Sequence, residues 1–406
     1  MQIEMTEKNI SRRKFVKTGA IAASGLATFG LPSFGRSLFE EDIRVGIIGT
    51  GSRGTGLAYL IKEIKGIKVT ACCDIIPEHL KNGLKEAPGA KAYTDYRQLL
   101  ADKSIDAVII ATPLYLHHPM AMDALDAGKH VYLEKSLAYD IPQCLSLVKK
   151  VRDFKLVFQV GYQYRYYKLY HKVKEVIDKN WLGKVTHFEC QYNRNSNWRM
   201  PLKDPKMERT INWRMYREYC GGPLSELCAH QIDQVNYILG SHPIKVTGMG
   251  GINYWQDGRD TYDNIRTIYE YPNGVKSNVT SVLSNAFNGY NIRVLGDKAT
   301  VEIQRDKAFI FAESTDNAKA IVDGVTGATK LAITQGKGVE LVFDEPGSKQ
   351  DEPTTDCLID FVKCIRYKKK PVSNVETASE ASIAVHMGNA AAETQTFQVW
   401  KPEYSI

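Results

Sequence analysis

Short apolar runs alternate with amphipathic segments through the first part of the chain. The run at 43–49 ends in glycine, as expected of a strand buried on both faces. Residues 52–65 follow, with leucine and isoleucine at helical spacing. The alternation continues to Gly161 and predicts an α/β Rossmann domain, a doubly wound parallel sheet over residues 42–162. The predicted strands are 43–49, 67–74, 105–111, 130–134 and 156–161, and the predicted helices are 52–65, 77–85, 119–127 and 141–153.

After Gly161 the pattern changes to strands of alternating polarity, interrupted by a few helices. Asn273-Gly274 stands between two of these strands and is a strong hairpin signal. Residues 163–400 are therefore predicted to form an α+β domain with a large, mainly antiparallel sheet, and 312–338 a polar surface loop. The predicted strands are 184–192, 245–252, 264–271, 275–282, 292–295, 300–303 and 339–343, and the predicted helices are 164–178, 224–239, 355–367 and 378–394.

The first 38 residues have the layout of a secretory signal. Ser11-Arg12-Arg13-Lys14-Phe15-Val16-Lys17 precedes an uncharged stretch of small and apolar residues at 18–31, a pattern similar to a twin-arginine signal. A basic start to an amphipathic helix is the alternative interpretation. The twin-arginine interpretation predicts a periplasmic or otherwise exported protein that folds, with its cofactor bound, before export. We exclude residues 1–38 from the fold prediction.

Composition excludes several classes of protein. The 406 residues are 43% hydrophobic and 24% charged, as in globular proteins, and no run is long enough for a stable membrane span. Six basic and two acidic residues of this +7 chain lie in the first 38, a net charge of +4, which leaves the body near +3 and argues against nucleic acid as a partner. The eight cysteines show no metal-ligand spacing, so we expect buried thiols and no metal.

The segment Gly49-Thr50-Gly51-Ser52-Arg53-Gly54 matches the dinucleotide fingerprint G-x-G-x-x-G. It follows a predicted strand and opens a predicted helix, whose N-terminal amides suit a pyrophosphate. Asp74 ends the next strand, 20 residues after Gly54, where a carboxylate would bind the ribose 2′-hydroxyl. Because Asp74 would repel a 2′-phosphate, the pattern favours NAD over NADP as a tightly bound cofactor, although Arg53 could offset that repulsion.

Three further segments carry a family resemblance, namely 111–117 (ATPLYLH), 128–136 (GKHVYLEKS) and 221–233 (GGPLSELCAHQID). With the glycine loop, they resemble the glucose–fructose oxidoreductase/inositol dehydrogenase/MocA (Gfo/Idh/MocA) family from about residue 42 to the C-terminus. The segment 159–165 (QVGYQYR) at the predicted domain junction also looks like the family pattern.

The resemblance implies roles for residues along the cofactor. Thr112 and His117 would line the nucleotide near the nicotinamide ribose, and Glu134 would contact the ribose or the carboxamide. Lys135 matches the lysine of the family's Glu-Lys-Pro motif, which reaches the reacting hydroxyl beside the cofactor. Ser136 stands where the family has proline, so the fixed φ after Lys135 is lost.

The resemblance also implies a reacting end. His230 matches the family's acid/base histidine, Glu226 stands where many members have aspartate, and Asp233 matches a carboxylate that binds substrate hydroxyls. The chemistry agrees, because a histidine suits the proton of an oxidised hydroxyl and Lys135 would stabilise the alkoxide. Glu226 and His230 are four apart, so on a helix they would be neighbours. The plainer interpretations are a surface lysine, a core histidine and a helix-surface acid. A metal site formed by Glu226, His230 and Asp233 is conceivable but lacks a supporting pattern.

Two segments rich in arginine, amides and aromatic residues indicate a carbohydrate substrate. Trp198 lies in the first of them, and Trp213 and Arg214 lie in the second, shortly before the Gly-Gly motif. Sugar rings pack on tryptophan, and arginine binds hydroxyls, so we expect these three to bind the substrate. A surface loop with structural tryptophans is the alternative.

The sequence leaves three functional hypotheses. The leading one is an exported NAD(P)-dependent oxidoreductase that exchanges a hydride between its bound cofactor and a hydroxyl of a sugar, glycoside or polyol. The second is an NAD-dependent glycosidase that oxidises transiently, eliminates and reduces again, although Glu-Leu-Cys-Ala-His at 226–230 departs from the Tyr-Pro-Thr-His of those enzymes. The third is a nucleotide-loaded binding protein without turnover. The broad sheet also indicates a homo-oligomer, as in many family members.

Overall fold

The computed structural model describes residues 41–313, 338–343 and 353–405. Its first sheet confirms the predicted doubly wound domain, with six parallel strands in the order β3-β2-β1-β4-β5-β6. The strands are β1 (Ile43–Ile48), β2 (Ile67–Cys73), β3 (Lys91–Tyr93), β4 (Ala107–Ile110), β5 (His130–Leu133) and β6 (Phe158–Val160). The helices between them are α1 (Ser52–Ile61), α2 (Pro77–Glu86), α3 (Tyr96–Ala101), α4 (His117–Asp126) and α5 (Ile141–Arg152).

The second sheet has nine strands in the described part of the chain, in the order β14-β13-β12-β11-β7-β10-β9-β8-β15. Its pairs are antiparallel except β7 with β10, so the predicted mainly antiparallel sheet is confirmed. The strands are β7 (Val185–Tyr192), β8 (Lys245–Gly251), β9 (Asn264–Glu270), β10 (Lys276–Val282), β11 (Tyr290–Gly296), β12 (Ala299–Ile303), β13 (Ala308–Ala312), β14 (Val339–Glu340) and β15 (Gln398–Val399). The helices are α6 (Lys168–Asp178), α7 (Glu208–Ile211), α8 (Ala229–Leu239), α9 (Pro353–Tyr367) and α10 (Val375–Thr394).

The hairpin predicted at Asn273-Gly274 is confirmed. Strands β9 and β10 pair with Glu270 opposite Lys276, and the Tyr271 N–H donates to the Val275 carbonyl at 2.9 Å. Gly274 adopts a φ of +77°, which glycine allows at little cost. The turn residues therefore set the register of two neighbouring strands.

Two predicted helices divide into different elements in the structure. The prediction 164–178 becomes a short 3₁₀ turn, Gln163–Tyr166, followed by α6. The prediction 224–239 begins with a π turn, Leu224–Cys228, before α8. Apolar periodicity covers both parts of each segment, so it does not reveal the change in winding. Most of the predicted loop at 312–338 lies outside the described residues.

Helix α9 returns to the first sheet, although it was predicted as part of the second domain. Its buried residues Leu358 and Phe361 belong to one apolar core with Val45 and Leu57. The Gln159 amide of β6 also donates to the Cys357 carbonyl at 2.7 Å. The hydrophobic core of the nucleotide-binding half thus includes a helix from near the end of the chain.

The eight cysteines are free and buried, which confirms their interpretation as small buried side chains. Burial raises the pKa of the Cys72 thiol to about 11 and that of the Cys190 thiol to about 12, so these thiols stay protonated and unreactive. Within the described ranges, no helix is both long and apolar enough to span a bilayer.

Candidate active site

The glycine loop joins β1 to α1 and leaves its backbone open at one point. Gly49 has a φ of +88°, and a Cβ on Gly54 would lie 1.9 Å from the Gly49 carbonyl oxygen. At Gly51 the nearest atom that a Cβ would meet is the His79 imidazole, at 3.7 Å. The loop therefore packs tightly at Gly54 and remains approachable at Gly51, as the fingerprint predicts for a pyrophosphate.

The Asp74 carboxylate is fixed beside this loop. One of its oxygens accepts from the Thr50 N–H and the other from the Ile76 N–H, each at 2.8 Å. Arg53 turns away from Asp74, because its Nε donates to Glu134 Oε1 at 2.7 Å. The arginine that could have offset the charge of Asp74 is thus bound to another carboxylate, which supports the preference for NAD.

The residues around the loop fit a dinucleotide. Helix α1 begins at Ser52 with no side-chain cap and no acidic residue in its first turn, so its first amides are available to phosphate oxygens. The Thr112 hydroxyl is buried and has no hydrogen-bond partner within the described residues, which suits a ligand group. The adenosine side of NAD would be held by Gly49, Gly51, Ser52, Gly54 and Asp74. The nicotinamide side would be held by Thr112.

His117 was expected to line the nucleotide, and in the structure its ring is buried between two backbone segments. Its Nδ1 lies 2.7 Å from the Ser136 carbonyl oxygen and its Nε2 lies 3.0 Å from that of Thr112. The ring is 1% exposed, and burial lowers its pKa despite these two carbonyls. Both ring nitrogens therefore lie against backbone carbonyls, of which the neutral ring donates to one, and His117 lies between the turn at Thr112 and the segment that carries Lys135.

Lys135 and Arg214 converge on Glu226 from different parts of the chain. Lys135 Nζ donates to the Glu226 carbonyl oxygen at 2.8 Å, and Arg214 Nε donates to the Glu226 carboxylate at 2.9 Å. Burial would raise the pKa of Glu226, but the charges of Arg214 and Lys135 hold it below its ordinary value. The carboxylate is thus ionised and binds Arg214, while the backbone carbonyl of the same residue binds Lys135.

His230 lies on the first turn of α8 among aromatic rings and positive charges. Its ring centroid is 4.9 Å from that of Tyr164, and its Nδ1 is buried without a hydrogen-bond partner in the described part of the chain. Burial, and then the charge of Lys135, lower its pKa well below the ordinary value. The imidazole is therefore neutral near pH 7 and able to accept a proton.

The predicted contact between Glu226 and His230 does not form. Glu226 lies in the π turn, where the hydrogen-bonded step is five residues, so a spacing of four no longer places two side chains on one face. Its carboxylate binds Arg214 instead. The structure thus makes Glu226 a partner of Arg214 and Lys135 and leaves His230 without a carboxylate to orient it.

Asp233 was expected to bind substrate hydroxyls, and in the structure its carboxylate is bound by an arginine instead. It is 0% exposed, and both of its oxygens accept from Arg165 Nε, at 2.8 and 3.0 Å. Arg165 lies in the 3₁₀ turn at the domain junction, within the 159–165 motif, and no local pattern indicates its partner 68 residues away. The pair joins this turn to α8, so Asp233 supports the helix that carries His230.

Replacing Asp233 by asparagine should therefore destabilise the protein by about 3 kcal/mol, because the Arg165 charge would remain buried without its partner. Urea unfolding measures the effect. Asp178→Asn is the matched control, since Asp178 forms an exposed pair with Lys174 on α6 and should cost less than about 1 kcal/mol. Equal losses in the two variants would contradict the structural role of Asp233.

The expected substrate residues lie on two different segments. Trp213 and Arg214 form one short turn, with the guanidinium 4.1 Å from the indole ring centre, and Arg214 reaches Glu226. Trp198 is half-buried on the segment after β7, next to Arg199, which donates to the Asp257 carbonyl at 2.9 Å. The structure thus brings Arg214 to the reacting end. Across the described ranges, no cluster of three metal-ligating side chains occurs.

The parallel sheet, the open glycine loop and the fixed acid define a dinucleotide-binding protein of the Rossmann type. Two family models match the chain: "Oxidoreductase family, NAD-binding Rossmann fold" over residues 43–162 and "GFO/IDH/MocA C-terminal domain" over residues 170–302. Together they cover more than half of the chain. The chain belongs to the Gfo/Idh/MocA oxidoreductase family.

Several curated relatives carry different activities. The chain is 24% identical over 367 residues to scyllo-inositol 2-dehydrogenase (NAD(+)) of Bacillus subtilis, covering 89% of this chain and 96% of that protein. It is 30% identical over 211 residues to 2,7-anhydro-N-acetylneuraminate hydratase of Mediterraneibacter gnavus, covering 52% and 53%. It is 28% identical over 233 residues to a glycosyl hydrolase family 109 protein of Shewanella pealeana, covering 51% and 50%. The chain thus spans about half the length of the last two relatives.

A solved structure shows the same fold. Levoglucosan dehydrogenase in complex with NADH and levoglucosan superposes with a TM-score of 0.71 at 21% identity, covering 88% of this chain and 99% of that chain. The comparison therefore extends the similarity of fold through both sheets.

Proposed function

We propose that the protein is an oxidoreductase that transfers a hydride between bound NAD and a hydroxyl of a sugar, glycoside or polyol. The convergence of Lys135, from the end of β5, and His230, from α8, carries this proposal. Lys135 Nζ binds the carbonyl of Glu226 in the turn that leads into α8, and its charge acts on the His230 imidazole. These contacts support a site in which an ammonium and a neutral imidazole from opposite halves act on one substrate hydroxyl.

These two groups match the needs of carbinol oxidation. The carbon would lose a hydride, for which NAD held by the glycine loop would be the acceptor, and the oxygen would lose a proton. The neutral His230 imidazole would take that proton, and the Lys135 ammonium would stabilise the negative charge that develops on the oxygen. The reverse direction uses the same groups, with His230 returning the proton.

The substrate class follows from the residues near this site. The Arg214 guanidinium packs over Trp213 and binds Glu226. We propose that it also donates hydrogen bonds to substrate hydroxyls at the edge of the reacting end. The names of relatives support a carbohydrate, because inositol and levoglucosan are the substrates named for two of them. Trp198 remains a proposed contact for a sugar ring.

A second candidate is hydrolysis or hydration by transient oxidation. In this cycle a ring hydroxyl would be oxidised, a leaving group eliminated, water added and the carbonyl reduced again. NAD held by the glycine loop would take up and return the hydride, so no net redox change would occur. Two relatives favour it by name, a hydratase and a glycosyl hydrolase family 109 protein. The same Lys135 and His230 would serve it.

Export through the twin-arginine route fits either candidate. The Arg12-Arg13 segment supports it, and the eight buried thiols suit a chain that folds in a reducing compartment. A soluble nicotinamide pool is not expected outside the cytoplasm, so we propose that NAD leaves with the folded protein. A net oxidoreductase would then need a second sugar or a redox partner to restore it.

We also propose a homo-oligomer that forms through the open face of the second sheet. Met249 on β8 and Ile268 on β9 are 70% and 49% exposed on that face. Arg266 lies opposite Met249 and two residues from Ile268, so these three side chains share the face. Two large exposed apolar side chains among polar neighbours support the burial of this face against a second copy.

One experiment separates the candidates. The protein is expressed with residues 1–38, its cofactor is released and identified, and nicotinamide absorbance is followed while glycosides and polyols are offered. A lasting rise at 340 nm supports the dehydrogenase. Release of an aglycone without a lasting rise supports the hydrolytic cycle. Bound NAD with neither change would instead indicate a binding protein without turnover and would overturn both candidates.

A further inference from the structure

The imidazole of His79 lies between the ribose acid and the glycine loop. His79 is on the first turn of α2, with its side chain 37% exposed and its Nδ1 3.7 Å from Asp74 Oδ2. The same ring is the nearest group to the Cβ position of Gly51, also at 3.7 Å. The ring therefore lies at the edge where the adenosine ribose of a dinucleotide would meet Asp74.

The charged side chains that act on His79 are acidic. Asp74 and Glu78 are the charges that act on it, and Glu78 is itself bound by Lys203 at 3.1 Å. On the neighbouring helix α1 and its end, the two basic side chains bind other acids. Arg53 donates to Glu134 at 2.7 Å, and Lys62 lies 2.5 Å from Glu86. His79 is thus the basic group that approaches the ribose acid from this edge.

The protonation of His79 changes the charge beside Asp74. The Asp74 carboxylate, 3.7 Å from Nδ1, raises the pKa of the imidazole above its ordinary value, and partial burial opposes that rise. Stabilisation of the protonated ring is present at lower pH and is lost as the pH rises through the raised value. The Asp74–His79 pair is consequently near neutral at low pH and carries one negative charge at high pH.

We propose that His79 sets the choice between NAD and NADP, by admitting the 2′-phosphate of NADP when protonated and leaving Asp74 to exclude it when neutral. The 2′-phosphate would add its negative charges within a few ångströms of Asp74, and an imidazolium at 3.7 Å offsets that repulsion. NAD has only a hydroxyl there, so its binding depends much less on the ring. His79 is then the residue that determines how strictly the nucleotide site selects NAD over NADP.

Binding of NAD⁺ and of NADP⁺ to protein freed of nucleotide tests the proposal by calorimetry at pH 5.5 and 8.5. In the wild type, the ratio of the NADP⁺ Kd to the NAD⁺ Kd should fall strongly at pH 5.5. The 2′-phosphate itself gains a proton over this range, so part of the fall needs no histidine. His79→Gln should retain only that part, which leaves its ratio at pH 5.5 about tenfold above that of the wild type.

Two further variants complete the test. His79→Arg carries a permanent charge, so it should bind NADP⁺ better than the wild type at pH 8.5. His118→Gln is the matched control, because His118 lies on α4 and contacts Ser146 at 3.3 Å, and it should follow the wild type. If His79→Gln retains the full pH effect, or if His79→Arg gains no affinity for NADP⁺, the proposal is wrong. Failure to bind either nucleotide would refute the glycine-loop site itself.

Discussion

Replacing Lys135 by methionine should lower kcat about a thousandfold and leave NAD bound. Methionine keeps most of the length of the side chain and removes the ammonium that would stabilise charge on the reacting oxygen. The phosphate-binding loop is on β1–α1 and does not depend on Lys135, so the nucleotide should remain. The initial rate of nicotinamide reduction, with the substrate that the activity screen identifies, measures the loss.

The matched control for this variant is Lys150→Met. Lys150 lies on α5, pairs with Asp126 at 2.5 Å and has no contact with the candidate site among its described neighbours. It should retain wild-type kcat. Bound nucleotide and the unfolding temperature are measured for both variants, because a loss of either in Lys135→Met would show a structural role. Unchanged turnover in Lys135→Met would refute the assignment of Lys135.

Replacing Gly54 by alanine should abolish NAD binding, with a loss of at least about a hundredfold in affinity. The added methyl would lie 1.9 Å from the Gly49 carbonyl oxygen, closer than any non-bonded contact, and that neighbour is backbone that cannot rotate away. Strand β1 and helix α1 must then separate, which moves the amides that face the pyrophosphate. Calorimetric titration with NAD⁺ measures the change in affinity.

Gly56→Ala is a strong control for the Gly54 variant, because the two glycines lie on the same helix. A Cβ on Gly56 would meet nothing within 4 Å, so alanine should stabilise α1 by about 1 kcal/mol and leave NAD affinity unchanged. Retention of wild-type affinity in Gly54→Ala would show that the loop does not hold the dinucleotide. A similar loss in Gly56→Ala would point to the helix as a whole instead.

The dinucleotide half was predictable because its signals are local. A buried parallel strand is a continuous apolar run, and the turn that follows it needs glycine at fixed positions, so β1 and the loop at Gly49–Gly54 could be located from adjacent residues. The Asn273-Gly274 hairpin was predictable for the same reason. The short edge strand β3 was missed, because Lys91–Tyr93 is three residues long and largely exposed.

The contacts of the reacting end depend on long-range packing that no local pattern encodes. Arg165 and Asp233 are 68 residues apart, and Lys135 reaches a carbonyl 91 residues later in the chain. The π turn also changed the partner of Glu226, since its residues fit an α-helical pattern equally well. The sequence could therefore predict which residue types lie at the site. Which of these residues contact each other follows from the packing of α8 against the domain junction.

The return of α9 to the first sheet determines when that half of the molecule can be completed during synthesis. Residues such as Phe361 belong to the same core as Leu57, so this core stays unfinished until the ribosome has synthesised α9. A nascent dinucleotide domain would expose the apolar patch that α9 later covers. We therefore expect stable binding of the nucleotide to follow the synthesis of α9 and the burial of this patch.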